Sequence, residues 1–371
     1  MKKRIVSRRH FLRSSALALG ALPAAMSSPN ALLAESTSQP DAGPAAAGGP
    51  EAADGVYRQI FPGHVELLLK RSAASRQAIQ DSLRAANARP VVLAVFQMRN
   101  HCDGAAGKQQ NLQRMLAAIG RAATEQAQIL VFPEMCLPGY YTNINGSSAE
   151  ARKANRDLAD SVGESPFLRS LQEGARQAGM VVTFGFCLKE GEKYYNAIGA
   201  IDADGAWLGV HRKNPLYPWP YELESFDQPE AAERGSVFST RHGKIALADC
   251  FDGEFPETIR RMRLAGGEIL LWSNAALGDS TTGWGNRIAN AGGHAWVNHL
   301  WVATCNCSAE NSCGTSLIVG PDSEPLVILP PREEAFGIAT INLAQSADWS
   351  IWRDRLDPIW KQPRALEGTT S

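Results

Sequence analysis

The sequence predicts an α/β (α+β) fold in which helices cover the faces of the sheets. Apolar runs rich in β-branched residues alternate with segments whose apolar residues recur at helical spacing. The first run, residues 91–96, is apolar at every position, as in a strand buried on both faces. Two later runs flank Asp202-Ala203-Asp204-Gly205, which is typical of a hairpin turn. These observations predict one mixed domain of about 270 residues.

Each element is predicted from its own local pattern. A helix is expected over residues 64–86, because Val65, Leu68 and Ile79 fall near helical spacing, and residues 64–89 form an extension before the main domain. Pro256 begins a later helix and Gly266 follows its end. The other expected helices lie around residues 112–119 and 166–178, and the strands at residues 91–96, 129–132, 180–188, 197–201, 207–210, 244–248, 268–272, 300–304, 316–319 and 336–341.

The composition excludes several classes of protein. Of 371 residues, 44% are hydrophobic and 20% are charged, with 37 basic and 38 acidic side chains. A disordered chain would need fewer apolar residues and a larger net charge, and a collagenous or coiled-coil chain would need a short repeat. A net charge of -1 gives no reason to expect nucleic acid. The expected partner is therefore a small molecule.

The N-terminal segment predicts export. Arg8-Arg9 followed by an apolar stretch at residues 14–26 is typical of a twin-arginine signal, so residues 1–34 are interpreted as a signal peptide and residues 35–63 as a linker. A basic N-terminus beside a chance apolar run is the alternative. Without residues 1–34, the chain has 31 basic and 38 acidic residues, a net charge of -7. A periplasmic or secreted protein is expected, with no stable membrane anchor, because no later segment has 18 consecutive apolar residues.

Three reactive side chains follow the ends of predicted strands. Glu134, Lys213 and Cys250 each come two or three residues after such an end. Taken singly, each has a common structural explanation, either a buried thiol or a solvated surface charge. Catalytic groups of α/β proteins collect beyond the carboxyl ends of strands, so we expect the three to meet. Together they suit covalent catalysis, with Cys250 as nucleophile, Glu134 as base and Lys213 as electrostatic stabiliser.

The segments around these residues read Phe132-Pro133-Glu134, His211-Arg212-Lys213 and Asp249-Cys250-Phe251-Asp252. In order and spacing they resemble the three signature segments of the nitrilase, or carbon-nitrogen hydrolase, superfamily. The resemblance covers roughly residues 90–345, so residues 346–371 are interpreted as a tail. It implies a four-layer αββα sandwich that usually pairs into dimers through its helices, and therefore a homo-oligomer. It also implies a Glu–Lys–Cys triad at the three positions named above.

The resemblance further implies a second glutamate near the lysine. In the family this residue lies four positions before a Phe, which selects Glu222, before Phe226, with Glu224 as the alternative. Glu222 is expected to orient Lys213 or the hydrolytic water.

The chemistry requires the site to change proton affinities. An ordinary Glu, with a pKa of about 4.3, cannot readily deprotonate a Cys with a pKa of about 8.5, because the gap amounts to roughly 5 to 6 kcal/mol. Burial raises the pKa of a Glu, and an adjacent ammonium lowers that of a Cys. Cys250 would then add to the substrate carbon, and Glu134 would protonate the leaving nitrogen. The oxyanion would be stabilised by Lys213 and the backbone N–H of Phe251. Neither a metal nor an organic cofactor takes part in this scheme.

Two features bear on the substrate. In nitrile-cleaving members Trp-Glu typically follows the Cys, whereas here Phe251-Asp252 follows Cys250, which resembles the amidase and carbamoylase branches. An amide or N-carbamoyl substrate is therefore favoured; the alternatives are nitrile hydrolysis, acyl transfer to an amine, and a catalytically inactive binding protein. The candidate substrate-binding residues are Tyr140 and Asn274, just beyond strand ends, and Trp219, in an aromatic segment that suits a surface loop equally well.

Two sequence features lie apart from this scheme. Family members commonly carry Arg-Ala-x-Glu-Asn on a late helix, whereas this chain reads His294-Ala295-Trp296-Val297-Asn298, with Val297 in place of the Glu. This departure places the chain away from the common branches. Nearby cysteines and histidines lack the usual zinc spacing, so buried cysteines or a disulfide are favoured over a metal site. The residues concerned are Cys305, Cys307, Cys313, His294 and His299.

Overall fold

The computed structural model describes residues 65–142, 147–230, 236–276, 283–308 and 314–347, with side chains from residue 70 in the first range and from residue 288 in the fourth. The predicted signal peptide and linker, and the tail beyond residue 347, lie outside the described residues. The helices are α1 (Val65–Ser82), α2 (Gly104–Thr124), α3 (Ser148–Asp157), α4 (Pro166–Ala178), α5 (Pro220–Ser225), α6 (Pro256–Leu264), α7 (Gly283–Asn298) and α8 (Ala344–Ala347). The strands are β1 (Pro90–Gln97), β2 (Ile129–Val131), β3 (Val181–Glu190), β4 (Lys193–Ile201), β5 (Trp207–Arg212), β6 (Ser236–Thr240), β7 (Gly243–Asp249), β8 (Ile269–Asn274), β9 (Trp301–Asn306), β10 (Leu317–Val319), β11 (Pro325–Ile328) and β12 (Ala335–Asn342).

Within the described residues, these strands form two six-stranded sheets. Their orders are β12-β1-β2-β3-β4-β5 and β11-β10-β9-β8-β7-β6. The central strands β1, β2 and β3 are parallel in the first sheet, and β7, β8 and β9 are parallel in the second. A hydrogen bond from Glu134 N to Asn274 O (3.3 Å) joins the carboxyl ends of β2 and β8. The carboxyl edges of the two sheets therefore meet.

The two sheets pack face to face and carry helices on their outer faces. Alternate residues of a strand point to opposite faces, so Leu93 of β1 and Leu247 of β7 enter the apolar core between the sheets. The outer face of the first sheet packs against α2 and α4, for example through Met115 and Leu171. The outer face of the second sheet packs against α6 and α7, with Met262 in that core. The predicted four-layer αββα sandwich is confirmed.

Local sequence explains where the helices begin and end, as α4 illustrates. The hydroxyl of Ser165 accepts hydrogen bonds from the backbone N–H groups of Phe167 (3.1 Å) and Leu168 (3.3 Å). A serine cap of this kind stabilises a helix by about 1 kcal/mol. The helix ends before Gly179, whose φ of 61° is left-handed and suits glycine. Leu168 and Leu171, one turn apart, lie on the buried face, so local signals and packing agree.

Five elements of the structure were not predicted from the sequence: α3, α5, α8, β6 and β11. α3 is a polar helix that buries only Ala151 and Asn155, so it has no apolar stripe; its sequence signal is the capping box formed by Ser147 and Glu150. α5 has only 6 residues, too few to show a period. β6 and β11 are edge strands of 5 and 4 residues. Short elements lack the repeated pattern on which sequence prediction depends.

The helix expected ahead of the domain is observed as α1, which ends at Ser82 rather than at residue 86. Ser72 Oγ donates to Pro325 O (3.3 Å), and Ser75 Oγ donates to Asp322 Oδ2 (2.6 Å). Ile79 enters the core between the sheets. α1 therefore packs against the sandwich on the β11 side. Neither α1 nor any other helix of the described segments combines the length and apolar character needed to cross a bilayer.

Candidate active site

Three strand ends bring charged and reactive groups to the edge where the two sheets meet. Glu134 follows β2, Lys213 follows β5 and Cys250 follows β7. Lys213 Nζ lies 2.8 Å from Glu134 Oε1 and 2.6 Å from Glu222 Oε1, and all three of these side chains are at most 1% exposed. An unpaired charge would be costly at this depth, so the ammonium needs these carboxylates.

The neighbouring negative charges keep Lys213 protonated. Burial disfavours its charged form, but the charges of Glu134 and Glu222 outweigh this effect and raise the pKa of Lys213 well above its ordinary value. Burial also raises the pKa of Glu222, although the charge of Lys213 acts in the opposite direction. Lys213 therefore stays a cation, and the carboxyl group of Glu222 binds a proton more readily than that of an ordinary glutamate.

Glu134 is oriented by donors from different elements. Its Oε1 atom accepts from Lys213 Nζ and from Asn196 Nδ2 (2.7 Å), which lies on β4. Its Oε2 atom accepts from the backbone N–H of Ala275 (2.8 Å), just after β8. Both carboxylate oxygens therefore have defined partners before a substrate arrives. The Ala275 donor could not be found from sequence, because a backbone N–H leaves no residue-type signal.

Cys250 opens a 3-10 turn, Cys250–Glu254, with an unusual backbone conformation. Its φ of 44° lies in the left-handed region that residues other than glycine rarely adopt. Trp272 Nε1 donates to the Cys250 carbonyl oxygen (2.9 Å), and His294 Nε2 donates to the Gly253 carbonyl oxygen (2.7 Å). These bonds hold the turn in place, and Cys250 itself is half-buried at the sheet edge.

Glu222 lies on α5 with its side chain turned toward Lys213. Tyr140 OH donates to Glu222 Oε2 (2.8 Å). Burial and the charge of Glu222 raise the pKa of Tyr140 well above its ordinary value, so its phenol stays a neutral donor. Glu224 is exposed, and its backbone carbonyl oxygen, not its carboxylate, accepts a hydrogen bond from Arg156. The structure therefore brings Glu222, and not Glu224, to the ammonium.

Aromatic rings border the site in a continuous series. Successive rings contact one another edge to face, with centroids 4.9 to 5.9 Å apart. The series begins at Tyr140, whose OH donates to Glu222, and it includes Phe251, the residue after Cys250. We call these residues the aromatic arc, which consists, in order, of Tyr140, Tyr221, Trp219, Tyr217, Phe251 and Phe255.

The predicted substrate-binding residues occupy different positions. Tyr140 and Trp219 belong to the aromatic arc, and Trp219 is 41% exposed. The side chain of Asn274 is fully buried, and its Nδ2 atom donates to Trp272 O (2.9 Å) and Thr304 Oγ1 (2.9 Å) within the second sheet. The Asn274 side chain is therefore used within the second sheet, and its backbone carbonyl oxygen accepts from Glu134 N (3.3 Å). The other rings of the arc were not selected from sequence, since an irregular aromatic segment does not reveal which rings point inward.

In the part of the chain that the structure describes, no group of three or more His, Cys, Asp or Glu side chains could hold a metal ion. Cys305 and Cys307 are buried, and burial raises the pKa of Cys305 well above its ordinary value. Cys313 lies outside the described residues.

The chain matches the family model described as carbon-nitrogen hydrolase over residues 92–351. Curated relatives include the N-carbamoylputrescine amidase of Solanum tuberosum, which is 27% identical over 67% of this chain and 88% of that protein. Another is the citrullinase of Francisella tularensis, which is 27% identical over 68% of this chain and 92% of that protein.

Solved structures with a similar fold include a variant of the amidase from Nesterenkonia sp. AN1 that carries acrylamide added at its active-site cysteine. Its TM-score is 0.59, at 24% identity, and the match covers 73% of this chain and 99% of that chain. The two chains therefore share their fold.

Proposed function

The chain belongs to the carbon-nitrogen hydrolase family, and we propose that it cleaves an amide or N-carbamoyl group of a small molecule. The proposed reaction hydrolyses a non-peptide C–N bond and passes through a thioester on Cys250. The observation that carries this proposal is the buried Lys213 ammonium, 2.8 Å from Glu134 and 2.6 Å from Glu222, in a segment that is hydrogen-bonded to the turn opened by Cys250. A nucleophile, a proton carrier and an oxyanion stabiliser are the groups that such a reaction needs.

In the first half-reaction, Glu134 takes the thiol proton and the sulfur of Cys250 bonds to the substrate carbon. Charge then develops on the substrate oxygen, where Lys213 and the backbone N–H of Phe251 stabilise it. The C–N bond breaks as Glu134 returns the proton to the nitrogen, and ammonia or an amine leaves.

In the second half-reaction, Glu134 takes a proton from water, whose oxygen bonds to the thioester carbon. The C–S bond breaks, the acid product leaves, and the sulfur recovers its proton. Glu222 orients Lys213 throughout, and Tyr140 orients Glu222 through their 2.8 Å hydrogen bond. The contacts among Glu134, Lys213, Glu222 and Tyr140 are present before substrate binds, and no cofactor enters the scheme.

For the substrate, we propose that the aromatic arc contacts the part of the molecule beyond the reacting carbon. The arc begins beside Glu222 and includes Phe251, so a substrate that reaches the thiol lies along it. Aromatic faces favour apolar or flat groups there. Two relatives are named for N-carbamoylputrescine and citrulline, which both carry an N-carbamoyl group, and this supports ureido compounds as well as simple amides.

The test is an ammonia-release screen of the protein without residues 1–34 against small amides, N-carbamoyl amines and amino acids, and nitriles. Turnover of amide or N-carbamoyl compounds is expected, with loss of turnover in Cys250→Ala. Cys102→Ser, which replaces an exposed thiol and keeps a donor for the carbonyl oxygen of Tyr140, is the matched control and should retain activity. Undiminished release by Cys250→Ala would refute the nucleophile assignment, and turnover of nitriles alone would refute the substrate class.

The same family leads us to propose a homo-oligomer that pairs through α6 and α7. This outer face exposes Leu264 (47%), Trp296 (51%) and Val297 (39%), an apolar group of the kind that subunit interfaces cover. Light scattering should report at least a dimer, and Trp296→Glu should shift it toward the monomer. A monomeric parent protein would contradict this proposal.

Export through the twin-arginine route is likewise proposed, from Arg8-Arg9 and the apolar stretch that follows. Cell fractionation should find the protein outside the cytoplasm, and the double substitution Arg8→Lys with Arg9→Lys should retain it inside. Unchanged export of that variant would exclude this route.

A further inference from the structure

One buried carboxylate near the site has no part in the chemistry described above. Asp252 is fully buried in the turn that Cys250 opens, and it accepts three hydrogen bonds. Its Oδ1 atom accepts from the backbone N–H of Asn214 (2.9 Å). Its Oδ2 atom accepts from His211 Nε2 (2.6 Å) and from the backbone N–H of Asp249 (2.8 Å).

These three donors belong to two different sheets. His211 and Asn214 flank Lys213 at the end of β5, in the first sheet, whereas Asp249 precedes Cys250 at the end of β7, in the second. No backbone ladder among the described strands pairs β5 with β7. The Asp252 carboxylate therefore connects the segment that carries the ammonium with the segment that carries the thiol.

We propose that Asp252 is a positioning residue that sets the distance between the Lys213 ammonium and the Cys250 sulfur. This inference rests on the proposed function. Glu134 and Glu222 already orient Lys213. The position of the Cys250 turn relative to Lys213 remains to be set. Two bonds from the β5 end and one from the β7 end set that position.

The physical reason concerns both reactivity and geometry. An ammonium beside a thiol stabilises the thiolate, and this effect falls as the two groups separate. A misplacement of about 1 Å can lower a rate by about 100-fold. The residue thus acts on catalysis through Lys213 and Cys250 without touching the substrate.

Asp252→Asn tests the proposal with almost no change in size. An amide keeps one acceptor oxygen, so its NH2 group must face at least one of the three donors and break that contact. The matched control is Asp160→Asn, which removes a buried carboxylate that accepts from Lys108 Nζ (2.8 Å) and Ser165 Oγ (2.6 Å) in another part of the first sheet. Both substitutions should lower the thermal midpoint, so stability alone does not distinguish them.

The distinguishing measurement is the rate at which iodoacetamide alkylates Cys250, followed by mass spectrometry of its peptide across pH. In Asp252→Asn the rate at pH 7 should fall about tenfold and its pH profile should move upward, because a more distant ammonium favours the thiolate less. Asp160→Asn should alkylate as the parent protein does. With the best substrate of the screen, Asp252→Asn should lose kcat by about 10- to 100-fold with little change in KM.

Should Asp252→Asn fail to fold, Asp252→Glu keeps the charge and moves the carboxylate by one methylene. It should also slow alkylation relative to the parent. An alkylation profile identical to the parent's in the folded variant would overturn the proposal. Alkylation needs no substrate, so its result is independent of the ammonia-release screen. Full turnover by Cys250→Ala in that screen would refute the proposed function, regardless of the alkylation rates of the Asp252 variants.

Discussion

The substitution Gly253→Ala should damage both the stability and the activity of this enzyme. A Cβ at residue 253 would lie 2.2 Å from Cζ2, 2.3 Å from Cε2 and 2.9 Å from Cη2 of Trp272. Ordinary carbon contacts are about 3.5 Å, so the ring would have to move by roughly 1 Å. Trp272 is fully buried in the core beneath α6 and α7, where a rigid indole has no free space to enter.

The expected magnitude follows from two effects. Overpacking a buried site costs about 1 to 3 kcal/mol. Displacement of the indole also breaks the 2.9 Å bond from Trp272 Nε1 to the Cys250 carbonyl oxygen, which is worth about 0.5 to 1.5 kcal/mol. The free energy of unfolding should therefore fall by about 2 to 4 kcal/mol. Because Cys250 loses an anchor of its strained backbone, kcat should fall as well.

Urea denaturation and ammonia-release kinetics measure the two effects. Gly120→Ala in α2 is the matched control, because a Cβ at residue 120 meets no heavy atom within 4 Å. Replacing a glycine inside a helix should raise stability by about 0.5 to 1 kcal/mol without changing turnover. If Gly253→Ala were as stable and as active as the parent, the role assigned to Trp272 would be wrong.

Three further substitutions test the charges and rings around the site. Glu222→Gln should lower kcat at least about tenfold, because it removes a carboxylate 2.6 Å from Lys213 Nζ. Glu224→Gln, at an exposed position, should leave kcat unchanged, and steady-state kinetics of the two variants tests both expectations. Burial, followed by the charge of Glu134, raises the pKa of Asp249 well above its ordinary 3.8. The folded state therefore binds the proton of the Asp249 carboxyl group more tightly than the unfolded state does. Stability consequently falls as pH rises from 3.8 through the raised pKa. Asp249→Asn should remove that fall, and urea denaturation from pH 4 to 8 should show a growing advantage for the variant; a constant difference would contradict the assignment. Trp219→Ala should raise KM more than it lowers kcat in substrate titrations, since its ring is 41% exposed and lies within the aromatic arc, between Tyr221 and Tyr217. A loss confined to kcat would contradict a role of this ring in substrate binding.

The agreement between sequence and structure depends on the length of each pattern. The apolar runs of β1, β7 and β8 and the stripe of α2 are long enough to be read from the sequence, and all are observed. The polar helix α3 and the edge strands β6 and β11 were missed, because tertiary contacts rather than a repeated local pattern stabilise them.

The same distinction applies to the site. Glu134, Lys213 and Cys250 could be selected because each follows the end of an apolar strand and lies in a family-like segment. The donors that orient them could not, since they come from distant residues or from the backbone, as Ala275 does. Asn274 illustrates the opposite case: its place beyond a strand end suggested a role in binding, but its amide is used within the second sheet.

The amino-acid sequence by itself determined the mixed α/β class and which residue types stand at the strand ends, because strand and helix periods are local properties of the chain. Its short motifs identified the family, and the resemblance to that family implied the αββα sandwich. Only the tertiary structure decided that Glu222 rather than Glu224 faces the ammonium, that aromatic rings form one arc, and that Asp252 connects the two sheets. Those contacts join residues far apart in the chain, and their existence depends on how the two sheets pack at their common edge, which no local pattern encodes.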